Sequence, residues 1–462
     1  MYDYLIKNAM IVDGTGKAPF AADVAIKNKK IAAIGELKDE AQQVLDAAGR
    51  YLTPGFIDVH RHGEAAAFRP GYGKAELAQG LTLVINGNCG LSMTPVQGSH
   101  RQEILDYLAP VVGDMPEGCD FSTVGEYKQQ LAKVPQRIHN GMLVGMGTLR
   151  GCAAGFYDGK LDEEQYAFIY KLLKQGLEEG ALGVSLGLGY APECFYDTEG
   201  MIKSLEPLKN SGTVITVHMR QEGDEVVEAL EEMITVAKAL NTPMQISHLK
   251  AIGTRNWNRC VPKMIELLRQ ARAEGVDITC DVYPYPAGST QLIHVLPPEF
   301  QAGGMDCLTE ALLDPEKRAI MKERMKTGTD FENISLLVGF ENIQATSLRL
   351  PENKEFEGMS IVRIAEKYIE VPCAVVSPNQ ARMDQVAATI DEWKADGVVS
   401  ITLHSCNPFA IETENIRRVC ERCGVPLLHI ETDFGTADEG QIRTRIEAYL
   451  EMIRAKKEMQ NG

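Results

Sequence analysis

The chain has 462 residues, 44% of them hydrophobic, which is more than one ordinary domain requires and ample for a sizeable core. Forty-seven basic against 64 acidic side chains leave a formal charge of −17, which argues against nucleic acid or an anionic membrane as a partner. The opening MYDYLIKNAMIVDG has no basic, apolar leader and no run reaches ~18 apolar residues, so a cytoplasmic protein is expected, neither secreted nor membrane-spanning.

Residues 1–55 alternate apolar and polar side chains in short runs (DYLIKNAMIVDGTG, ADVAIKNKKIAAIG, RYLTPG), with turn pairs at Asp13-Gly14 and Gly35-Glu36. That pattern predicts a small antiparallel β-domain. From Gly55 to about Pro286 short apolar runs (LTLVINGNCG, GMLVGMG, ALGVSLGLGY, GTVITVHMR, TPMQISHLKA, GVDITCDVYPY) alternate with helical stretches such as EEQYAFIYKLLKQGLEEG. Repeated βα units of this kind build a buried parallel sheet. The expected fold is α/β, a (β/α) barrel over 56–296, because several runs end in potential catalytic residues and barrel chemistry gathers at the C-terminal ends of strands. Residues 297–367 lose the rhythm. A helix (LDPEKRAIMKERMKTG), a strand-like run (ISLLVGF) and a charged turn (PENKEFEG) suggest an inserted, lid-like segment. A second α/β rhythm occupies 368–462: PCAVVSPN, DGVVSITLHSCNPF and VPLLHIETDFG, each followed by a helix. No Gly/Ser-rich or Pro-rich linker separates the two rhythms.

Eleven cysteines, an odd number scattered along the chain, indicate free thiols in a reducing compartment or a few metal ligands among buried ones. Cys420 and Cys423 form a C-x-x-C within the amphipathic pattern IRRVCERCG, and read as two packing thiols.

His60 and His62 in GFIDVHRH alternate on an extended segment and so share one face. Taken alone, such a pair reads as polar strand-end residues. Cys89 in NGNCG, His218 ending VITVH and His248 ending MQISH change the balance, because separate strand ends then present zinc-type ligands together.

The segments GFIDVHRH, NGNCG, LGVSLGLGY, VHMRQEGDEVVEALEE, QISHLKAIGTRNWNR and DVYPYPAGST resemble the N-acyl-D-amino-acid deacylases (D-aminoacylases) of the amidohydrolase superfamily, colinearly to about Ala365. The resemblance implies a metal-dependent barrel beside a small β-domain, acting on a small N-acyl amino acid. It implies one tight zinc held by Cys89, His218 and His248, and a second, weaker position to which His60 and His62 contribute. Tyr190, Lys250, Tyr283 and Ser289 fall where that family binds substrate. Arg220 and Lys250 could pair with a substrate carboxylate, or form structural salt bridges. Tyr190 could donate to an oxyanion, or pack at the barrel rim. Two departures stand out: Arg61 and Gly63 replace parts of H-T-H-D/E, and Met146 replaces the histidine of G-H-x-x-L-R.

A third departure is larger. The family's last barrel strand ends in an S-D-G aspartate that serves as general base and then acid, a role worth ~10²–10⁴ in rate. No S-D-G follows Ala365. From about Tyr368, VPCAVVSPNQAR, DGVVSITLHSCNPFAIE and GVPLLHIETDFGTADEGQIRTRIEAYLEMI resemble the end of an activator-dependent 2-hydroxyacyl-CoA dehydratase subunit, which implies a doubly wound α/β module. Cys406 sits where that family has one ligand of its 4Fe–4S cluster. A cluster needs about three or four protein thiolates, so none is expected in this chain alone, and Cys406 reads as a buried, unligated thiol. The expected function is therefore metal-dependent hydrolysis of N-acyl-D-amino acids, impaired by the missing aspartate. The alternatives are a dehydratase component with a dehydratase subunit as partner, or a non-catalytic mosaic remnant. Asp433, at the end of LLHIETD, is the one remote candidate for the missing carboxylate, should that run complete the barrel.

Overall fold

A computed structural model describes residues 1–38, 40–283, 288–340, 343, 380–392, 394–403, 407–432 and 439–461. The chain divides into two compact units, the first made of Met1–Arg61, Gly73–Ile85 and Pro135–Gly141, the second of the remainder.

In the first unit β1 (Tyr2–Ile11), β2 (Phe20–Lys27), β3 (Lys30–Gly35), β4 (Ala41–Asp46) and β5 (Tyr51–Leu52) form one sheet, in the order β3-β2-β1-β4 with β5 also on β1. The tight turn lies at Asn28-Lys29, where both residues take left-handed φ values (52° and 61°), the conformation a two-residue hairpin needs. The sheet is only partly antiparallel. β4 and β5 both run parallel to β1, because the chain crosses back before pairing, a direction that alternation alone does not encode. β6 (Phe56–Asp58), α1 (Lys74–Ala78) and β7 (Leu81–Asn86) follow, with β6 parallel to β7. β6 stops before His60, because Asp58 Oδ1 accepts the His60 backbone N–H (3.1 Å) in a side-chain turn that ends the ladder. The two histidines therefore lie beyond the strand on which they were expected.

The second unit carries the βα rhythm. Helices α2 (Arg101–Val112) and α3 (Val124–Leu131) precede β8 (His139–Gly145) and α4 (Met146–Ala154). Next come α5 (Glu163–Glu178), β9 (Gly183–Gly187), α6 (Thr198–Ser204), β10 (Val214–His218), α7 (Val226–Leu240), β11 (Met244–Ile246), α8 (Cys260–Ala273) and β12 (Ile278–Cys280). All four pairings from β8 to β12 are parallel, each strand beside the next in sequence. Val184, Leu186, Ile215, Val217, Met244 and Ile246 are fully buried, the mark of strands covered on both faces. α5 begins in a capping box of Asp162 and Gln165 and buries Tyr166, Ile169, Leu172, Leu173 and Gly176 along one stripe. The fold is a partial (β/α) barrel with an N-terminal β-domain.

Beyond β12, α9 (Gly304–Leu313), α10 (Pro315–Thr327) and α11 (Ile334–Val338) form the lid-like segment. ISLLV is helical here, where a strand was expected. The Asn333 side chain accepts the Leu336 N–H (3.2 Å) and nucleates the turn, while its amide donates to the carbonyls of Arg324, Met325 and Gly328. α12 (Gln380–Glu392), β13 (Val398–Leu403), α13 (Asn407–Arg422), β14 (Leu427–Thr432) and α14 (Glu439–Asn461) make an α/β module, with β13 and β14 parallel in a two-stranded sheet of their own. The run LLHIE therefore pairs with β13 and supplies no strand to the barrel. Cys373, Cys406, Asp433 and the boundary near Tyr368 lie outside the described residues. Among the described residues no helix is long and apolar enough to cross a membrane.

Candidate metal centre

Parallel strands deliver the donors to one edge of the second unit. His218 is the last residue of β10, and in register Val217 lies beside Ile246 of β11. His248 follows two residues after β11. Its backbone takes a left-handed φ of 36°, and its N–H donates to Asp281 Oδ1 (2.6 Å), just past β12. Cys89 also has a left-handed backbone (φ 56°). Its loop is pinned by Ser185 of β9, which accepts the Gly90 N–H (3.0 Å) and donates to the Gly87 carbonyl. Left-handed conformations at non-glycine residues cost about 1–3 kcal/mol each and persist where surrounding structure over-determines them.

The side chains then converge. His248 Nε2 faces Cys89 Sγ at 3.6 Å and His218 Nδ1 at 3.0 Å. On its other side His248 Nδ1 lies 2.7 Å from Glu222 Oε1 and 3.0 Å from Lys250 Nζ. Glu222 also holds Lys250 in a direct ion pair. Burial, with neighbouring His248, Lys250 and His294, holds His218 well below its ordinary pKa against the opposing pull of Glu222, so its imidazole is neutral and able to bind a metal. Burial would raise Glu222, but His218, His248 and Lys250 together hold its carboxyl well below the usual range. Lys250 is drawn down by burial, yet the Glu222 carboxylate outweighs this and keeps the ammonium charged.

Tyr190 lies against both His218 (ring centroids 4.6 Å apart) and His294 (4.7 Å), and its hydroxyl accepts from Thr290 Oγ1 at 3.0 Å. Burial, reinforced by Cys89, pushes its phenol well up, so it stays protonated and can donate. The Lys250 ammonium sits 5.9 Å from the Tyr283 ring centroid, and Ser289 is exposed. Arg220 takes the structural reading: its guanidinium bonds to both oxygens of Glu232 (3.2 Å each) and to the Cys194 carbonyl (2.9 Å). His60 belongs to the first unit, where neighbouring Arg61 pairs with Asp58 (3.4 Å) and Glu76 (2.7 Å), so the unusual cation is neutralised. His62 belongs to the second unit, where the Gly63 N–H that follows donates to Asn86 Oδ1 (2.8 Å).

Three residues of the cluster escaped sequence reasoning: Glu222, His294 and Glu332. Glu222 lies four residues after His218, in the irregular loop between the end of β10 and α7 at Val226, where neither strand nor helix periodicity relates the two side chains. His294 lies just before the lid-like segment and Glu332 within it, and their Nε2 and Oε2 are 3.0 Å apart. Glu332 Oε1 accepts the Glu222 backbone N–H at 2.6 Å, which fastens the lid-like segment to the loop after β10. No sequence signal links positions so distant.

Among the described residues of the second unit, the donors lying within 4.8 Å of one another fall into two groups, His218–Glu222–His248 and His218–His294–Glu332. Cys89 reaches them through His248. Zinc with bonds of about 2.3 Å to sulfur and 2.0–2.1 Å to nitrogen sets tetrahedral edges of about 3.5 Å (S–N) and 3.3 Å (N–N). The observed 3.6 and 3.0 Å match two of those edges, which meet at His248 Nε2, and a thiol beside imidazoles is the donor chemistry zinc prefers. Glu222 is the carboxylate that orients a ligating histidine from behind.

Comparison with known proteins agrees with this geometry. Residues 43–114 match the amidohydrolase family, and residues 331–453 match the 2-hydroxyglutaryl-CoA dehydratase D-component, whose match begins upstream of Tyr368. The chain is 32% identical to the D-aminoacylase of Alcaligenes xylosoxydans xylosoxydans, over 63% of this chain and 59% of that protein. It is similar in structure to the N-acyl-D-glutamate deacylase of Bordetella bronchiseptica, solved with zinc and a phosphonate mimic of the tetrahedral intermediate. There the TM-score is 0.57 at 30% identity, covering 62% of this chain and 59% of that one. At the other end it is 36% identical to the Escherichia coli (strain K12) protein YjiM, named for a dehydratase subunit, over 26% of this chain and 32% of that protein. The chain thus spans about three-fifths of the deacylases and one-third of the dehydratase relative.

Proposed function

We propose that this chain hydrolyses N-acyl-D-amino acids to a D-amino acid and a carboxylate, using zinc held by Cys89, His218 and His248, at a reduced rate. The observation that carries the proposal is the approach of Cys89 Sγ and His218 Nδ1 to one atom, His248 Nε2. When bound, zinc supplies a Lewis acid that polarises the scissile carbonyl and activates water. The chain's own groups do the rest. Glu222 stands 2.7 Å behind His248 Nδ1 and orients the ring so that Nε2 faces Cys89 and His218. Lys250, a charged ammonium inside the site, pairs with the substrate carboxylate. Tyr190, held protonated, donates to the oxygen on which charge develops. The deficit is the proton carrier, since no S-D-G aspartate follows Ala365 and its loss costs about 10²–10⁴ in rate.

The test is turnover of N-acetyl-D-amino acids by zinc-loaded full chain, with chiral detection of the released amino acid. Slow, D-selective release that disappears in Cys89→Ala is expected. Turnover as fast as an intact deacylase would refute the impairment, and no release from protein with bound zinc would refute the activity.

The 331–453 match supports a second role, association with a dehydratase-type subunit through the C-terminal module. Co-purification of such a subunit with the full chain tests it. Iron and acid-labile sulfide in the anaerobic preparation would favour the cluster-bearing alternative.

A further inference from the structure

On the Nε2 side of His218, His294 and Glu332 form a group that the zinc site does not use. His218 presents Nδ1 toward His248, while its Nε2 points the other way and makes no hydrogen bond, although the side chain is only 6% exposed. Facing that atom are Glu222 Oε2 at 3.7 Å and Glu332 Oε2 at 4.0 Å, and His294 Nε2 lies 3.0 Å from the same Glu332 oxygen. All four side chains are buried, both carboxylates to 2% exposure.

Glu222 Oε2 is taken up by the Lys250 ammonium, which leaves Glu332 Oε2 as the carboxylate oxygen next to both His294 and His218. A buried ring nitrogen with no hydrogen-bond partner is costly unless a ligand joins it. Glu332 spends its other oxygen on the Glu222 N–H, which fixes its orientation and turns Oε2 toward the histidines. Nitrogen and oxygen bonds of about 2.0–2.1 Å set donor edges near 3.3 Å; Glu332 Oε2 lies 3.0 Å from His294 Nε2 and 4.0 Å from His218 Nε2, and donor atoms of these three residues all lie within 4.8 Å of one another.

We propose that His218 Nε2, His294 Nε2 and Glu332 Oε2 bind a second divalent cation of the zinc, cobalt or manganese class, with the His218 ring lying between two ions. The site includes neither His60 nor His62. Its donors are drawn from both halves of the mosaic, since Glu332 falls within the 331–453 match and His218 does not. Two nitrogens and one oxygen make it harder than the thiolate position, so the two sites differ in metal preference. His218 sheds its ring proton to solvent when both nitrogens ligate. The proposal rests on the zinc-site reading only in sharing His218.

Metal-stripped full chain is titrated with Co²⁺, following bound equivalents and the thiolate-to-cobalt charge-transfer band. Two equivalents are expected, only one of which brings that band. Glu332→Gln and His294→Gln each weaken the other equivalent by at least about 10–100-fold and keep the band, while Cys89→Ser loses the band and keeps the other ion. The retained band also reports that each variant is folded. One equivalent in the unmodified chain overturns the proposal whatever the variants do. So does retention of two tight ions in Glu332→Gln, or loss of the band together with its ion there. An ion sensitive to Glu332→Gln in a chain that never shows the band would refute the Cys89 zinc site and leave this one standing.

Discussion

Gly187, the last residue of β9, lies beside the Cys89 loop, and Gly187→Ala should disarm the zinc site through the backbone alone. A methyl group there would overlap the Cys89 carbonyl oxygen and sit 2.7 Å from its carbon and 3.1 Å from Tyr190 Cδ2. Ordinary contact begins at 3.4 Å, so the Cys89 backbone must retreat by at least about 0.7 Å, the shortfall at that carbon (3.4 − 2.7). It has little room to do so, with its φ already left-handed and Gly90 bonded to Ser185. Metal-ligand distances tolerate roughly ±0.2 Å, so this displacement takes the thiolate out of bonding range. Zinc affinity should fall at least ~100-fold, about 2.7 kcal/mol, and overpacking should destabilise the fold by about 1–3 kcal/mol. Chelator competition on the metal-stripped protein measures the first, and urea denaturation the second. Gly288→Ala is the control, because its methyl would meet only the Tyr283 hydroxyl at an ordinary 3.5 Å. Unchanged zinc affinity in folded Gly187→Ala would show that the Cys89 loop does not carry the ligand.

Burial pushes the Glu193 carboxyl up to about 8, from an ordinary 4.5, so between those values the folded chain holds a proton that the unfolded chain releases. Stability should therefore decline as pH rises from 4.5 to 8. Glu193→Gln should lessen that decline and raise the urea midpoint at pH 8 relative to wild type; a steeper decline would contradict the account. Arg150, 1% exposed, donates to the carbonyls of Tyr157 and Gly159 (3.0 Å each) and lies over the Tyr196 ring. Arg150→Lys cannot reproduce that fork and should cost about 2 kcal/mol or more in urea denaturation. Asn333→Ala removes the cap of α11 and strands three carbonyls, for about 2–4 kcal/mol by the same assay. A loss under about 0.5 kcal/mol would show that water replaces those bonds.

The strand-end donors were legible because parallel strands buried on both faces write continuous apolar runs, and the polar residue closing each run stands out. VITVH and MQISH announce His218 and His248 in this way. Direction was less legible: alternation marks β4 and β5 as strands but does not say that they run parallel to β1. ISLLV was misread because four apolar residues and one serine carry no decisive period, and the cap that makes them helical is a single asparagine contacting α10 carbonyls. Likewise, the ladder expected to carry His60 and His62 ends at Asp58 for a local reason, one side-chain turn. Glu222, His294 and Glu332 join the site by long-range packing: Glu332 is 110 residues from the Glu222 amide it accepts.

The left-handed backbones at Cys89 and His248 place stability and metal binding in opposition at the same two positions. Glycine at 89 or asparagine at 248 would relieve backbone strain, by about 1 kcal/mol in favourable cases, and would remove a ligand in the same step. Mutation filtered only for a stable fold would tend to erase this site, whereas a surface salt bridge could drift with little consequence. A library of this chain sorted for thermal resistance alone should accordingly lose metal binding early, with substitutions concentrated at 89 and 248 rather than at His218, which ends a regular strand and gains nothing by changing.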